Sequence, residues 1–417
     1  MAQLSDDCFA FGGNLLTVDE ALARIEERVT ATAETETLGL PTARGRILAR
    51  DVVATISVPP HANSAVDGYA FCYDDLLSGG ETVLPIAGRA AAGHPLERAA
   101  VRGAAIRIFT GAPMPEGTDT VMMQEDCIVE NGSVRLKPGI KRGANRRHAG
   151  EDVAHGAVAL AAGRRLSPAD LGLAAALGQP DLPVFRSLRV ALLSTGDEVR
   201  EPGVPLPPGA IYDANRFMLA ALLCGLGGVI TDLGIRPDRP AALADTLAAA
   251  SREHDLIVTS GGVSTGDEDH VKAAIEDMGS LYFWRLAIKP GRPVALGQIG
   301  GVPLIGLPGN PVAAVVTFIV LARPLILKLS GAAARPPRLF PVRAGFAYRK
   351  RPGRREYLRA SLKRDGDALV AVKYPKDGAG ILSSIVQSEG LVILDEATST
   401  LAEGARVDFL PFSEVIA

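Results

Sequence analysis

Apolar positions along this chain change period several times, and each change predicts a different kind of element. Over residues 18–29, Leu22, Ile25 and Val29 recur at helical intervals, and Thr17 with Glu20 has the Ser/Thr-x-x-Glu spacing of a capping box. An amphipathic helix is predicted there, followed by short strands over residues 39–56. From about residue 71 to 147 the apolar runs shorten to 82–86, 105–109, 120–123 and 133–136, divided by Gly and Pro, which predicts a small β domain. Between about 182 and 330 strand and helix signals alternate. Strands are predicted at 188–194, 229–233 and 256–259, with helices from an Asp213 cap to Leu226 and over 239–252. That alternation predicts a parallel sheet covered by helices, with ligands at the carboxyl ends of its strands. The apolar run 312–322, ended by Arg323-Pro324, is shorter than the roughly 18 residues a membrane span needs. Residues 332–337 read as a linker, and the remainder as a second small β domain or barrel.

Composition narrows the classes of function. At 417 residues the chain exceeds one hydrophobic core, so two to four domains are expected. Its 44 basic and 47 acidic side chains leave a net charge of -3, which argues against nucleic acid or an anionic membrane as partner. Cys8, Cys72, Cys127 and Cys224 form no Cys-x-x-Cys pair, so neither zinc nor a disulfide framework is signalled and buried, reduced thiols are expected. Asp6 and Asp7 stand where a signal peptide would be basic, and the cytoplasm is the expected compartment.

Candidate chemistry centres on SGGVSTGDEDHVK, residues 260–272, after the apolar run 256–258. Gly261, Gly262 and Gly266 allow positive φ, and a helix following the loop would put main-chain N-H groups where an oxyanion binds. A plain strand-to-helix turn is the other reading of such glycines. Asp267, Glu268 and Asp269 in the same loop favour a phosphate site assisted by a cation, most simply Mg2+. Further loops predicted on the same sheet edge carry Thr195 to Glu198, Pro237-Asp238, Lys289 and Arg292, and Pro308 to Pro311. Outside this region, Asp67 is either a turn cap or a working carboxylate, and Thr110 offers a hydroxyl and an N-H to an anion or simply opens a β-turn. The basic run Lys141, Arg142, Arg146, Arg147 and His148 is equally a solvated face or a phosphate-facing one.

The segments NSAVDGYA, TGAPMPEGTDTVMMQED, STGDE, SGGVSTGDEDHVK, LAIKPGRP and LPGNPVA follow one another as in the molybdopterin molybdenumtransferase (MoeA) family. The chain resembles that family, which includes the E domains of gephyrin and its plant counterpart, from about residue 16 to the end. The resemblance implies an extended N-terminal domain in two segments, 1–56 and 148–181, and an inserted β domain, 57–147. It further implies a molybdopterin-binding αβα domain, 182–331, a C-terminal β barrel, 336–417, and a homodimer with clefts between subunits. The implied reaction takes adenylylated molybdopterin and molybdate, requires Mg2+, and releases AMP. Hand-over contacts with a MogA-like adenylylating protein and with recipient molybdoenzymes are implied as well.

Carried over by motif, Asp67, Asp152, Glu198, Asp238 and Asp269 are the expected catalytic carboxylates, with Asp238 and Asp269 also the expected metal ligands. Substrate contacts fall to Thr110, Ser260, Gly261, Gly262, Ser264, Gly266, Lys289, Arg292, Pro308 and Pro311, with Arg359 and Ser383 completing an oxyanion site. The family often has Lys where this chain has Arg292, whose planar fork changes the geometry offered to an oxyanion. A non-catalytic, gephyrin-like scaffold or a molybdopterin-binding paralogue is the alternative reading.

Overall fold

The computed structural model describes residues 15–31, 34–263 and 270–416. The first helix is Val18–Arg28, and the capping box expected from the sequence is formed: Glu20 N-H donates to Thr17 Oγ1 at 3.3 Å and Thr17 N-H to Glu20 Oε2 at 2.9 Å. Ala21 and Ile25 on its apolar face belong to the same buried cluster as Leu286 and Leu329, which ties the start of the chain to its middle. Two antiparallel pairings, Thr35–Gly39 with Asp181–Phe185 and Val52–Val53 with Val158–Leu160, bring together the segments that flank a six-stranded sheet. The boundary expected at residues 181/182 therefore falls inside a strand. That sheet runs Thr120–Met123, Gly68–Phe71, Ala105–Ile108, Thr82–Ala90, Ser133–Leu136, Cys127–Glu130.

A second six-stranded sheet has the order Val229–Arg236, Arg189–Thr195, Leu256–Ser260, Val302–Leu307, Pro293–Ile299, Gly279–Arg285. Its first four strands are parallel, but Pro293–Ile299 runs antiparallel to both its neighbours, so the parallel sheet read from the sequence is a mixed one. The reason is local. Gly300 and Gly301 have φ of 58° and 83°, the positive pair that a two-residue hairpin turn needs, and they fold Val302–Leu307 back on Pro293–Ile299. The three inner parallel strands are buried along most of their length, as Val190, Leu192, Ile257, Val258, Leu304 and Ile305 illustrate, while the edge strand Val229–Arg236 is not. Their carboxyl ends bring Thr195, Ser260 and Leu307 side by side at one edge.

Two further expectations are corrected. The apolar run 312–322, expected to be too short for a membrane span, belongs to a longer helix that continues past Arg323-Pro324. Pro311–Thr317 passes through a π-helical stretch, Phe318–Ala322, into Arg323–Leu329. A π turn shifts the hydrogen-bond pattern ahead of Pro324, which has no N-H to give, and the Arg323 guanidinium reaches the Glu414 carbonyl at 3.2 Å. The resulting Pro311–Leu329 helix is long and apolar enough to cross a membrane, yet 78% of it is buried inside the protein, as in a core helix. As expected, Asp213, two residues before the helix Asn215–Gly225, caps its first turn. Its Oδ1 accepts the Arg216 N-H at 3.1 Å and its Oδ2 the Arg216 Nε at 3.0 Å. Finally, Cys72 and Cys127 are only half-buried and Cys224 is exposed, while Cys8 lies outside the described residues.

In the C-terminal region five strands close on themselves in the order Arg355–Asp365, Ala368–Lys373, Phe340–Ala344, Arg406–Pro411, Gly390–Leu394 and back to the first. Val342, Leu358, Ala371, Val392 and Phe409 fill this barrel. Ile288–Lys289 adds to its rim in parallel, setting Lys289 opposite Glu356.

Candidate active site

The strand ends Thr195 and Ser260 form one wall of a cavity of about 670 Å³. Glu198, Asp213, Asn215, Asp238, Gly261, Gly262, Pro308 and Pro311 also line it. Gly261 and Gly262 have φ of +90° and +63°, and a Cβ at either would come within 2.6 or 2.5 Å of Thr195 O or Val271 Cγ2. Both glycines are thus required by packing between strand and helix as well as by the turn. The Gly261 N-H donates to Leu307 O at 3.1 Å, which removes it from the main-chain donors expected to hold phosphate. Ser264, Gly266 and Asp269, expected in the same loop, lie outside the described residues.

Among the described residues, every charged side chain lining this cavity is acidic: Glu198, Asp213 and Asp238. Asp213 bonds Arg216 and takes no further part here. Two carboxylates without softer ligands are the donor set Mg2+ takes when waters and substrate phosphates complete its shell, so the residues fit the expected ion. Among the described residues no group of three such side chains forms a complete protein-held metal site. Asn215, 7% exposed, is the wall residue that sequence reasoning missed. Its Nδ2 donates to Ser260 Oγ at 2.8 Å, Gly309 O at 2.8 Å and Pro308 O at 3.4 Å, while its Oδ1 has no partner among the described residues. Two carbonyl partners fix the NH2 on that side. The available signal was an Asn at the first turn of an apolar helix, directly after Asp213-Ala214.

A second cavity, of about 300 Å³, shares the wall residues Pro293, Pro308 and Asn310 with the first. It holds the cations Lys289, Arg292 and Arg359, which outnumber its two carboxylates, Glu356 and Asp377. Arg359 is 6% exposed, and its guanidinium is held by Ser384 Oγ at 3.0 Å, Gly378 O at 3.2 Å and Lys376 O at 3.3 Å. Burial pushes its pKa below the ordinary arginine value, while Asp377 of the same cavity acts on it through space and its printed hydrogen bonds go to neutral oxygens. A buried cation bonded by neutral groups keeps charge to offer an anion. Ser383, expected beside it, is exposed and lines neither cavity. The neighbouring Ser384 is buried and makes the contact, a shift of one residue set by the short helix Ser383–Val386. Lys289, expected to face the anion, is turned to Glu356 Oε2 at 3.3 Å and Tyr348 Oη at 3.4 Å.

The remaining residues lie apart, lining neither cavity. Asp67 Oδ1 accepts both the N-H and the hydroxyl of Thr110, each at 2.8 Å, and this holds the Asp67 carboxyl below the usual range. Thr110 therefore spends on Asp67 the donors expected for an anion. Asp152 is exposed, its N-H donating to Val58 O at 3.0 Å. In the basic run Arg142 is paired with Asp74 and Asp119, the solvated reading for that residue.

A mixed α/β sheet with a cavity at its strand ends, abutting a second cavity at a barrel rim, defines a multidomain α/β protein with a ligand-sized cleft where such sheets bind ligands. The family models narrow the class. Residues 16–178 match the MoeA N-terminal region (domain I and II), 191–328 a probable molybdopterin binding domain, and 341–412 the MoeA C-terminal region (domain IV). A molybdopterin molybdenumtransferase from Haemophilus influenzae is 39% identical over 96% of this chain and 100% of its own length. The molybdopterin molybdenumtransferase 2 of Mycobacterium tuberculosis is 35% identical over 89% and 93%. The crystal structure of a molybdopterin biosynthesis MoeA protein from Pyrococcus horikoshii superposes with a TM-score of 0.82 at 27% identity, covering 95% of this chain and all of that one. The chain belongs to the molybdopterin molybdenumtransferase (MoeA) family.

Proposed function

We propose that this protein inserts molybdenum into molybdopterin, taking adenylylated molybdopterin and molybdate and releasing AMP. The observation that carries the reading is the shared wall at Pro293, Pro308 and Asn310, which sets an acid-lined cavity against a cation-lined one. Molybdate is a compact dianion with only acceptor oxygens, and Arg359 with Arg292 supplies the charge and the fork-shaped donors it needs. Pro311, next to the shared-wall residue Asn310, opens the long buried helix, whose positive end adds to that field. The organic part of the nucleotide-linked pterin fits the larger cavity, where Asn215 and the hydroxyls of Thr195 and Ser260 offer polar contacts.

Dense negative charge must be neutralised before bonds can exchange. Mg2+ would be held by Asp238 with Glu198, and Asp269 is the further ligand implied by the family; it would supply charge neutralisation on phosphate oxygens. Glu198 and Asp238 are also the groups placed to take up protons as sulfur replaces oxygen on the metal. Asp67, Thr110 and Asp152 would reach such a site from a second copy of the chain, which makes the working form a homodimer with composite clefts. The discontinuous N-terminal domain with an inserted β domain would carry them there. Hand-over from an adenylylating protein and onward to molybdoenzymes would follow.

Incubation with adenylylated molybdopterin and Mg2+, with and without molybdate, tests the reading. AMP should appear only when molybdate is present. Equal release without it would contradict the reading and leave a nucleotide-linked hydrolase instead.

A further inference from the structure

Glu356 is a charged residue of the cation-lined cavity that the proposed reaction does not use. Its side chain has 0% exposure, and its carboxylate accepts from Tyr348 Oη at 2.9 Å and Lys289 Nζ at 3.3 Å on Oε2, and from Arg354 Nε at 3.0 Å on Oε1. Tyr348 stays a donor, because burial first and this hydrogen bond second push its pKa well above the ordinary phenol value. The strand pairing of Lys289 with Glu356 fixes the two backbones side by side. The Lys289 side chain is nonetheless 47% exposed, so its ammonium is free to reach into the cavity that it lines.

A carboxylate buried beside an anion site weakens that site twice, by its own field and by drawing away a cation. Resting on the reading of this cavity as the oxyanion site, we propose that Glu356 restrains Lys289 and thereby lowers the cavity's affinity for a tetrahedral oxyanion. The anion is then held loosely by Arg359 and Arg292, and Lys289 joins it only by leaving Glu356. A substrate that must move on to another ligand set gains from loose holding, because tight ground-state binding would deepen the well it has to leave.

The restraint predicts a gain in binding on mutation, an outcome that damage to the fold does not produce. Titration of molybdate alone into the full-length protein by calorimetry, at fixed ionic strength, reads it. Glu356→Gln removes the charge and should tighten molybdate binding by roughly tenfold. Glu356→Asp keeps the charge but draws it back from Lys289 by one methylene, and should tighten binding by a smaller factor; either variant decides where the other does not fold. In a Lys289→Met background the gain from Glu356→Gln should shrink to about twofold or less, since there is no ammonium to release. Unchanged or weaker binding in the folded Glu356 variants overturns the restraint alone. So does a gain that persists in full without Lys289. Absence of molybdate binding by the wild type would overturn the oxyanion reading of the cavity itself, and the restraint with it.

Discussion

Asn215 Nδ2 donates to Ser260 Oγ at 2.8 Å, joining the first turn of a helix to the end of a strand 45 residues later in the chain. The same NH2 also holds the Gly309 and Pro308 carbonyls, so one buried amide pins the walls of the larger cavity together. Asn215→Ala would leave those acceptors buried without their donor. A loss of about 1–3 kcal/mol in unfolding free energy is expected from the unsatisfied groups. Urea denaturation measures it, and an unchanged midpoint would show that the amide holds nothing.

Asp67 and Thr110 give a pH prediction. Both donors of Thr110 favour the ionised Asp67 carboxyl and lower its pKa. Stability from this pair is present above the unfolded carboxyl value of about 3.9 and is lost as pH falls through the lower folded value. Thr110→Val removes the hydroxyl and keeps the N-H, so the Asp67 pKa should rise toward the ordinary value without reaching it. Carboxyl-carbon NMR titration reads the shift; a downward movement would contradict the assignment of its cause.

Much of this architecture was legible because burial imposes a period. The uninterrupted apolar runs at 190–193 and 256–258 could only be buried strands, and Thr17 with Glu20 announced a helix start. The hairpin at Gly300-Gly301 was in plain view as a Gly-Gly pair between apolar segments, but the βα rhythm before it favoured a parallel reading. Arg323-Pro324 misled because the pair usually stops a helix, and whether a π turn absorbs the missing N-H depends on packing against the rest of the core. For the site, motif spacing reached Glu198, Asp238, Ser260 and Arg359, which do line the two cavities. It could not give the pairing of Lys289 with Glu356, 67 residues apart, or the preference for Ser384 over Ser383. Each is decided by a strand register or a helix phase that sequence alone leaves open.

Lys289→Ala should raise the molybdate concentration needed for half-maximal AMP release only a few-fold, because the ammonium must first leave Glu356. Loss of the ammonium leaves the buried Glu356 carboxylate to Tyr348 and Arg354 alone, so a loss of about 1–3 kcal/mol in stability is expected beside it. A rate at low molybdate equal to wild type would remove Lys289 from the site.

The proposed homodimer with composite clefts makes a distinct prediction. Asp67→Ala and Glu198→Ala should each be inactive alone, since both clefts of each homodimer are damaged. In a mixed dimer one cleft collects both lesions and the other is intact. Random remixing makes roughly half the dimers mixed, so co-refolding should restore roughly a quarter of wild-type activity. Mixed dimers verified by mass and without activity would mean that both residues serve a site within one chain.

The central claim is that two adjoining cavities divide the labour, one holding the anion and the other carrying the acids that turn it over. Molybdate saturation curves of AMP release, measured for Arg359→Ala and Glu198→Gln beside the wild type, test it most directly. Arg359→Ala should raise the molybdate KM by about 10- to 100-fold while leaving kcat within a few-fold, as expected when a ground-state cation is removed. Glu198→Gln should do the reverse, leaving KM near wild type and lowering kcat by about 100-fold or more. The same change in both parameters for both variants, or KM unmoved in Arg359→Ala, would contradict the division.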